Sequence, residues 1–285
     1  MLLPAKEIRE KKKQIIKKQL EDLNITLKFA IIQVGDNPAS NKYINNKIKY
    51  AKELGIEVVL KQYSIDVEQL ELIKQIKEYN VDCNIAGIIV QLPLPEHLNE
   101  QAIVQKIKFT KDIDGFSVQN IGNTYLGNEA LTSCTAQGVI TLLNHYQIPI
   151  AGKNITIAGR SNLVGKILAL LLINKGATVT VCNSQTKNIK EYIKHSDIFI
   201  SAIGKPQYFT ADYFNNKNLT VIDIGINFLD GKLVGDIDTK NVEPKVKNIT
   251  PVPGGIGVLT VTELIGNVVK AYKISQKEKN GNNNG

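Results

Sequence analysis

The chain's 285 residues suffice for one large domain or two ordinary ones, and a composition 43% hydrophobic and 22% charged excludes a disordered or membrane-embedded protein. The longest aliphatic run, ILALLLI at 167–173, is far short of a bilayer span and MLLPAKEIREKKK lacks a signal peptide's apolar segment, so no membrane partner and a cytoplasmic location are expected. The formal charge of +8 would suit nucleic acid, but its densest basic patch, KEIREKKKQIIKK, carries Ile8, Ile15, Ile16 and Leu20 at helical spacing without any nucleic-acid-binding signature, so it reads as a solvated helix face and no nucleic-acid partner is expected.

That first helix spans roughly 4–21, and a strand at 27–34 follows it. The next helix, near 38–54, opens well: Asn37 can cap it and Pro38 suits its first turn. Ile44, Ile48 and Ala51 make its core stripe, while Tyr43, Lys47 and Tyr50 form a second stripe roughly 100° further round. A strand at 56–62, a helix at 66–79 and a buried-type strand at 85–91 complete a first series. The last strand ends in Gln91 just before two prolines, so Gln91 projects where the sheet stops. A loop-rich stretch then contains KDIDGF, with Asp114 before Gly115 in a turn.

A helix near 135–146 leads into a second series, with strands at 154–158, 177–182, 197–201 and 219–224 and helices near 163–174 and 187–194. Alternation of this kind predicts parallel sheets covered by helices, and two series predict two α/β domains. The segment TPVPGGIGVLT at 250–260 brings bare backbone near another element or a ligand. Thr260 and Glu263, in capping-box spacing, open a last helix with Leu264, Val268 and Ala271 on one face, and the polar tail from 277 to 285 is expected to be disordered. Cys83, Cys134 and Cys182 have no metal-ligand spacing and read as reduced thiols in packing roles.

The unit KNITIAGRSNLVGKILALLLINKGATVTVCNS is strand, glycine turn, helix, turn, strand, the arrangement that binds a dinucleotide at its first crossover. Gly159 permits the turn and Gly165 a close approach of helix and strand, but Ser161 and Val164 stand where the usual fingerprint has glycine, so a purely structural crossover remains the alternative. After the second strand, Cys182, Asn183 and Ser184 offer no carboxylate for a ribose 2′-hydroxyl. Arg160, one of only two arginines in the chain, and Ser184 suit a 2′-phosphate instead, which favours NADP.

In their order, VGDNPASNKYINNKIK, VQLPLP, KDIDGF, GRSNLVGK, VIDIGIN, LVGDID and PVPGGIGVLT resemble the bifunctional methylenetetrahydrofolate dehydrogenase/methenyltetrahydrofolate cyclohydrolase family, over about residues 2 to 275. The resemblance implies an enzyme of one-carbon metabolism and purine biosynthesis, usually a homodimer, that oxidises 5,10-methylenetetrahydrofolate with NADP and hydrolyses the methenyl product to 10-formyltetrahydrofolate. It implies two α/β domains with a cleft between them: a folate-binding catalytic domain at 1–143, completed by a C-terminal helix at 260–276, and a Rossmann-like NADP-binding domain at 144–259. Lys47 is then the proton-transfer and water-polarising group, since partial burial beside Ile44 and Ile48 disfavours its charged form. Gln91 fixes the lysine, Tyr43 packs on the aminobenzoyl portion and helps orient it, and Asp114 accepts paired hydrogen bonds from the pterin edge. Ser40 joins the Lys47 network, while Leu92, Gly254 and Gly255 contact substrate. Gly159, Arg160, Ser161, Val164, Gly165, Ser184 and Ile226 hold the cofactor.

Some positions depart from the family pattern. Ser133 and Ala136 replace prolines, which is expected to loosen the start of the connecting helix; Ile167, Val258 and Leu259 also differ, and Asn183 and Gln185 remove positive charge beside the 2′-phosphate. A short-chain dehydrogenase also uses Tyr-x-x-x-Lys, but downstream of the glycine turn, whereas Tyr43 precedes Gly159. A positive rim would also attract anionic folate glutamate tails.

Overall fold

In the computed structural model, described over residues 1–282, the chain forms two compact units. The first comprises Lys12–Asn123, Glu129–Thr132 and the segment from Leu264 onward; the second comprises Met1–Lys11, Thr124–Asn128 and Ser133–Glu263. The chain crosses between the units more than once, the last time between Glu263 and Leu264. Helix α1 (Lys6–Leu23) buries Ile8 and Ile16, but Ile15, one residue round from the stripe, is exposed.

In the first unit, β1 (Lys28–Val34), α2 (Pro38–Glu53), β2 (Glu57–Tyr63), α3 (Gln69–Val81) and β3 (Gly87–Val90) alternate, followed by α4 (Glu100–Val104) and α5 (Val118–Leu126), whose last residues pass to the second unit. The sheet is parallel in the order β2-β1-β3. Its central strand is buried on both faces, which is why KFAIIQV is nearly continuous in apolar residues. Ala30, Ile32, Leu72, Ile76, Ile88 and Ile103 form the heart of this core. Chain order reverses between β1 and β3, so the carboxyl ends of these two strands frame a switch point.

The second unit begins with α6 (Cys134–His145) and continues through β4 (Asn154–Ala158), α7 (Gly165–Ile173), β5 (Thr178–Cys182), α8 (Ile189–Lys194), β6 (Ile198–Ser201) and β7 (Thr220–Asp223). A hairpin of β8 (Asn227–Leu229) and β9 (Lys232–Val234), a short α9 (Thr239–Val242) and β10 (Asn248–Ile249) follow. Five parallel strands run in the order β10-β7-β6-β4-β5, which in chain order is the doubly wound 2-1-3-4-5 arrangement. Phe199 packs edge-on against Phe209 at 5.0 Å and Phe214 at 5.8 Å in its core.

Three expectations need correction. The last helix, α10 (Ile256–Asn282), starts before Thr260, directly after the Gly254-Gly255 turn. Thr260 and Glu263 thus lie inside it; Thr260 Oγ1 bonds back to the Ile256 carbonyl and Glu263 accepts from Thr141 Oγ1 at 2.7 Å. The helix also continues through 277–282, where Lys277 pairs with Glu129 at 2.9 Å and Glu278 with Lys108 at 2.8 Å; residues 283–285 of the expected disordered tail lie outside the described residues. Finally, Cys134 and Cys182 are buried free thiols as expected, but Cys83 is exposed and has no packing role. Among the described residues, no helix is long and apolar enough to cross a membrane.

Candidate active site

The first unit gathers its polar side chains at the switch point of its sheet. Asn37 caps α2, its Oδ1 accepting from the Ser40 amide at 3.2 Å, and Gln33, at the end of β1 and buried, donates to Asn41 Oδ1 at 2.6 Å. These bonds fix the start of α2 against the strand end, and with it the direction of the residues one and two turns later. Ile44 and Ala51 are fully buried and Lys47 is half-buried beside them. Tyr43 is 41% exposed, whereas Tyr50, placed by its spacing on the same edge stripe, is buried in the core.

Lys47 Nζ donates to Gln91 Oε1 at 3.1 Å, and Gln91 Nε2 donates to the Leu92 carbonyl at 2.8 Å. The second bond orients the amide so that its oxygen faces the ammonium. Gln91 is held in turn because its backbone amide continues the sheet, donating to the Ile32 carbonyl at 2.8 Å. The lysine's hydrogen bond is thus to Gln91, and among the described residues none joins it to Tyr43 or Ser40.

Asp114 reaches the same face because a bridge between Ile88 and Asp112 lays the KDIDGF turn beside β3. Burial pushes the Asp114 carboxyl up from the ordinary carboxylate range, the nearby Lys47 charge pulls it down, and Asp112 pushes it up. That balance puts Lys47 and Asp114 within electrostatic reach of one another. Two residues that the sequence did not single out hold the turn. Asp112, 1% exposed, accepts from the Gly115 amide at 3.0 Å, the Ser117 amide at 2.6 Å and Asn120 Nδ2 at 3.1 Å. Asn267, on α10, donates to the Ile113 carbonyl at 2.9 Å and the Thr132 carbonyl at 3.0 Å.

The expected cofactor residues, with Gly254 and Gly255, lie in the second unit. Gly159 has φ +122°, and a Cβ there would strike the Ala202 carbonyl at the exit of β6; one at Gly165 would strike the Gly159 carbonyl. Only glycine permits this stacking of turn, helix and neighbouring strand end. Ser161, standing for glycine, accepts from the Val164 amide at 3.2 Å and the Gly165 amide at 3.4 Å, so it caps α7. The Gly159 amide bonds the Cys182 carbonyl at 2.9 Å, bringing exposed Arg160 and exposed Ser184 onto adjoining strand ends. Asn183 Oδ1 accepts from the Gln185 amide at 2.9 Å and shapes the turn that presents Ser184. The glycine turn lies where chain order reverses between β4 and β6, and Ile226, 39% exposed, follows β7. A close-backed turn, amides at a helix start and no carboxylate after β5 fit a dinucleotide with a 2′-phosphate. Ser133 does not loosen the start of α6: its Oγ donates to the Leu163 carbonyl at 2.7 Å and ties α6 to the turn.

A doubly wound unit with a glycine turn at its reversal point, in one chain with a smaller parallel unit carrying a lysine, an amide and an aspartate, defines a two-domain α/β dehydrogenase class. The tetrahydrofolate dehydrogenase/cyclohydrolase catalytic-domain model matches residues 3–114, and the NAD(P)-binding-domain model of the same family matches residues 133–276. The bifunctional protein FolD of Rickettsia massiliae is 44% identical over 95% of this chain and 94% of its own. The crystal structure of bifunctional FolD from Campylobacter jejuni superposes with a TM-score of 0.93 at 40% identity, covering 96% of this chain and 99% of that one. The Trypanosoma brucei enzyme, complexed with NADP cofactor and an inhibitor, gives a TM-score of 0.91 at 29% identity over 96% of this chain and 98% of its own. The chain belongs to the tetrahydrofolate dehydrogenase/cyclohydrolase family.

Proposed function

We propose that the chain oxidises 5,10-methylenetetrahydrofolate to the 5,10-methenyl form with NADP and then hydrolyses that product to 10-formyltetrahydrofolate. The observation that carries the reading is the Lys47–Gln91 pair, set at the switch point of the first unit's sheet within electrostatic reach of Asp114. Adding water to a methenyl carbon and then opening its bond to N5 requires a proton to leave the water and another to reach the departing nitrogen. Lys47 polarises the water and moves these protons. Gln91 holds the ammonium through its carbonyl oxygen, so little side-chain freedom remains to be lost when substrate binds. Asp114 accepts the adjacent N–H donors of the pterin edge, and those donors favour its charged form against the cost of burial. Tyr43, with its ring exposed, offers a flat apolar face to the aminobenzoyl portion.

Gly159, Arg160, Ser161, Val164, Gly165, Ser184 and Ile226 hold the NADP, with Arg160 and Ser184 on the 2′-phosphate. NADP, when bound, supplies the hydride acceptor. No acid or base from the chain is needed for that transfer, because the substrate nitrogen's lone pair expels the hydride; the protein's part is position. Ser40 and Leu92 line the folate side, and Gly254 and Gly255 let their loop approach a ligand closely. The reading carries a cytoplasmic homodimer feeding purine biosynthesis as its wider setting, the dimer being open to test by sedimentation.

The deciding experiment is a spectrophotometric assay with methylenetetrahydrofolate and either NADP or NAD, in which the methenyl absorbance rises with oxidation and decays with hydrolysis. Lys47→Met should abolish the decay while the melting temperature stays within a few degrees. Near-normal decay in that variant removes Lys47 from the mechanism, and no NADP reduction by the wild type removes the reading as a whole.

A further inference from the structure

Two sequence motifs in the second unit, VIDIGIN and LVGDID, each carry an aspartate, Asp223 and Asp236, with no part in the cofactor contacts assigned to Ile226 and its companions. The structure interlocks them. Asp223, at the end of β7, accepts on Oδ1 from the Gly225 amide at 2.9 Å and the Asp236 amide at 3.0 Å, and on Oδ2 from the Ile237 amide at 2.9 Å. Asp236, after the hairpin, accepts on Oδ2 from Ser201 Oγ and the Ile203 amide, each at 2.8 Å. Its Oδ1 accepts from the Lys205 amide at 2.9 Å and from Asn227 Nδ2 at 3.0 Å. Each motif's glycine makes room for the other's carboxylate: a Cβ on Gly225 would overlap Asp236 Oδ1, and one on Gly235 would overlap Asp223 Oδ2. Both carboxylates are buried, Asp223 at 1% and Asp236 at 0% exposure.

Desolvating two acids side by side is costly, and apolar residues of similar size would give a cheaper core. What the pair supplies is geometry. Asp236 has four acceptor sites and uses all four, two of them on backbone amides of the loop leaving β6. That loop begins at Ala202, whose carbonyl lies against Gly159. Through Asn227 the same carboxylate reaches the segment leaving β7, which carries Ile226. One buried acid therefore ties the exits of β6 and β7 together beside the glycine turn, and Asp223 fixes the backbone on which that acid stands.

We propose that Asp236, seated by Asp223, is a positioning residue for the dinucleotide: it holds the Ala202–Lys205 loop and the Ile226 segment as one preformed wall at the reversal point of the second unit's sheet. The inference rests on the NADP reading above. It predicts that weakening the interlock raises the cofactor's KM and dissociation constant while leaving the hydrolytic step untouched, since Lys47, Gln91 and Asp114 belong to the first unit.

The test uses the full-length enzyme with Asp236→Asn and the milder Ser201→Ala and Asn227→Ala. NADP is titrated calorimetrically, dehydrogenase kcat and KM for NADP are measured, and cyclohydrolase activity is followed separately on supplied methenyltetrahydrofolate. Asp236→Asn should raise the NADP Kd and KM at least tenfold with kcat within threefold, Ser201→Ala and Asn227→Ala should raise them two- to fivefold, and all should keep cyclohydrolase activity within twofold. Amide hydrogen exchange at Ile203 and Lys205 should accelerate in step with the loss of affinity. If Asp236→Asn does not fold, the two milder variants decide. Unchanged NADP affinity in the folded variants, or cyclohydrolase falling in parallel, overturns the inference while leaving the NADP reading intact; a wild type that binds no NADP overturns both.

Discussion

Replacing Gln91 by Met separates positioning from proton transfer. Methionine keeps the length and roughly the volume of the side chain but removes the carbonyl that meets Lys47 Nζ at 3.1 Å and the amide that meets the Leu92 carbonyl at 2.8 Å. A hydrogen bond to a charged partner contributes about 1.5–3 kcal/mol, and if the whole of it serves the transition state the rate falls roughly 10- to 150-fold. Both bonds are lost, but the residue is half-buried at a strand end where water can replace them, so the stability cost should stay at about 1–3 kcal/mol. The assay is the decay of methenyl absorbance with substrate saturating, alongside thermal melting. Cyclohydrolase kcat should drop within that range with little change in KM, and NADP reduction should suffer less. Gln91→Asn, which keeps the amide but is one methylene short of the lysine, should resemble Met. A Gln91→Met enzyme with cyclohydrolase kcat within twofold of wild type would show that the amide does not position the lysine for chemistry.

Arg160→Ala should lower the preference for NADP over NAD by at least tenfold in kcat/KM, because it deletes the one guanidinium at the end of β4; an unchanged preference would place the 2′-phosphate elsewhere. Gly165→Ala should destabilise the second unit by about 1–3 kcal/mol through overpacking against the Gly159 carbonyl, read as a lowered urea midpoint, and a wild-type midpoint would mean that the turn is free to move. Burial beside Asp236 pushes the Asp223 carboxyl up to about 7, against three amide donors that pull it down. A pKa raised above the unfolded value of about 3.9 means that the native state binds the proton more tightly, so this group's contribution to stability is full below about pH 4 and is lost as pH rises through about 7; the upper bound is about 4 kcal/mol. Urea unfolding of wild type and Asp223→Asn at pH 5 and pH 8 checks it: the variant should lose part of the pH dependence, and identical dependence in both would refute the assignment.

The central strands were legible because a strand covered on both faces must be apolar throughout, as in KFAIIQV and NITIA. The glycine turn was legible for a related reason: a backbone stacked on a backbone has no substitute for missing side chains. Lys47 and Gln91 each stood out locally, one on a helix edge and one at a strand end, but only the fold shows their contact across 44 residues. The hairpin of β8 and β9 carries its own sequence signal, Asp230-Gly231, both at positive φ between two short apolar runs. Asp112, inside KDIDGF with partners three to eight residues on, had a local signal as a turn-holding aspartate, whereas Asn267 gave none, since its partners lie 154 and 135 residues away. The tail misled for the opposite reason: its polar composition suggests disorder, while Lys277 and Glu278 find partners that composition does not reveal.

Helix α10 passes from the second unit to the first between Glu263 and Leu264, and Asn267 and Lys270 then bond carbonyls at Ile113, Thr132 and Ala130. Asn267, one of the residues that secure the Asp114 turn, is thus synthesised 154 residues after the Ile113 carbonyl it holds. A chain interrupted between residues 115 and 263 carries Lys47, Gln91 and Asp114 but not the Asn267 clamp on the aspartate's loop. Folate chemistry should therefore wait until synthesis has passed Lys270.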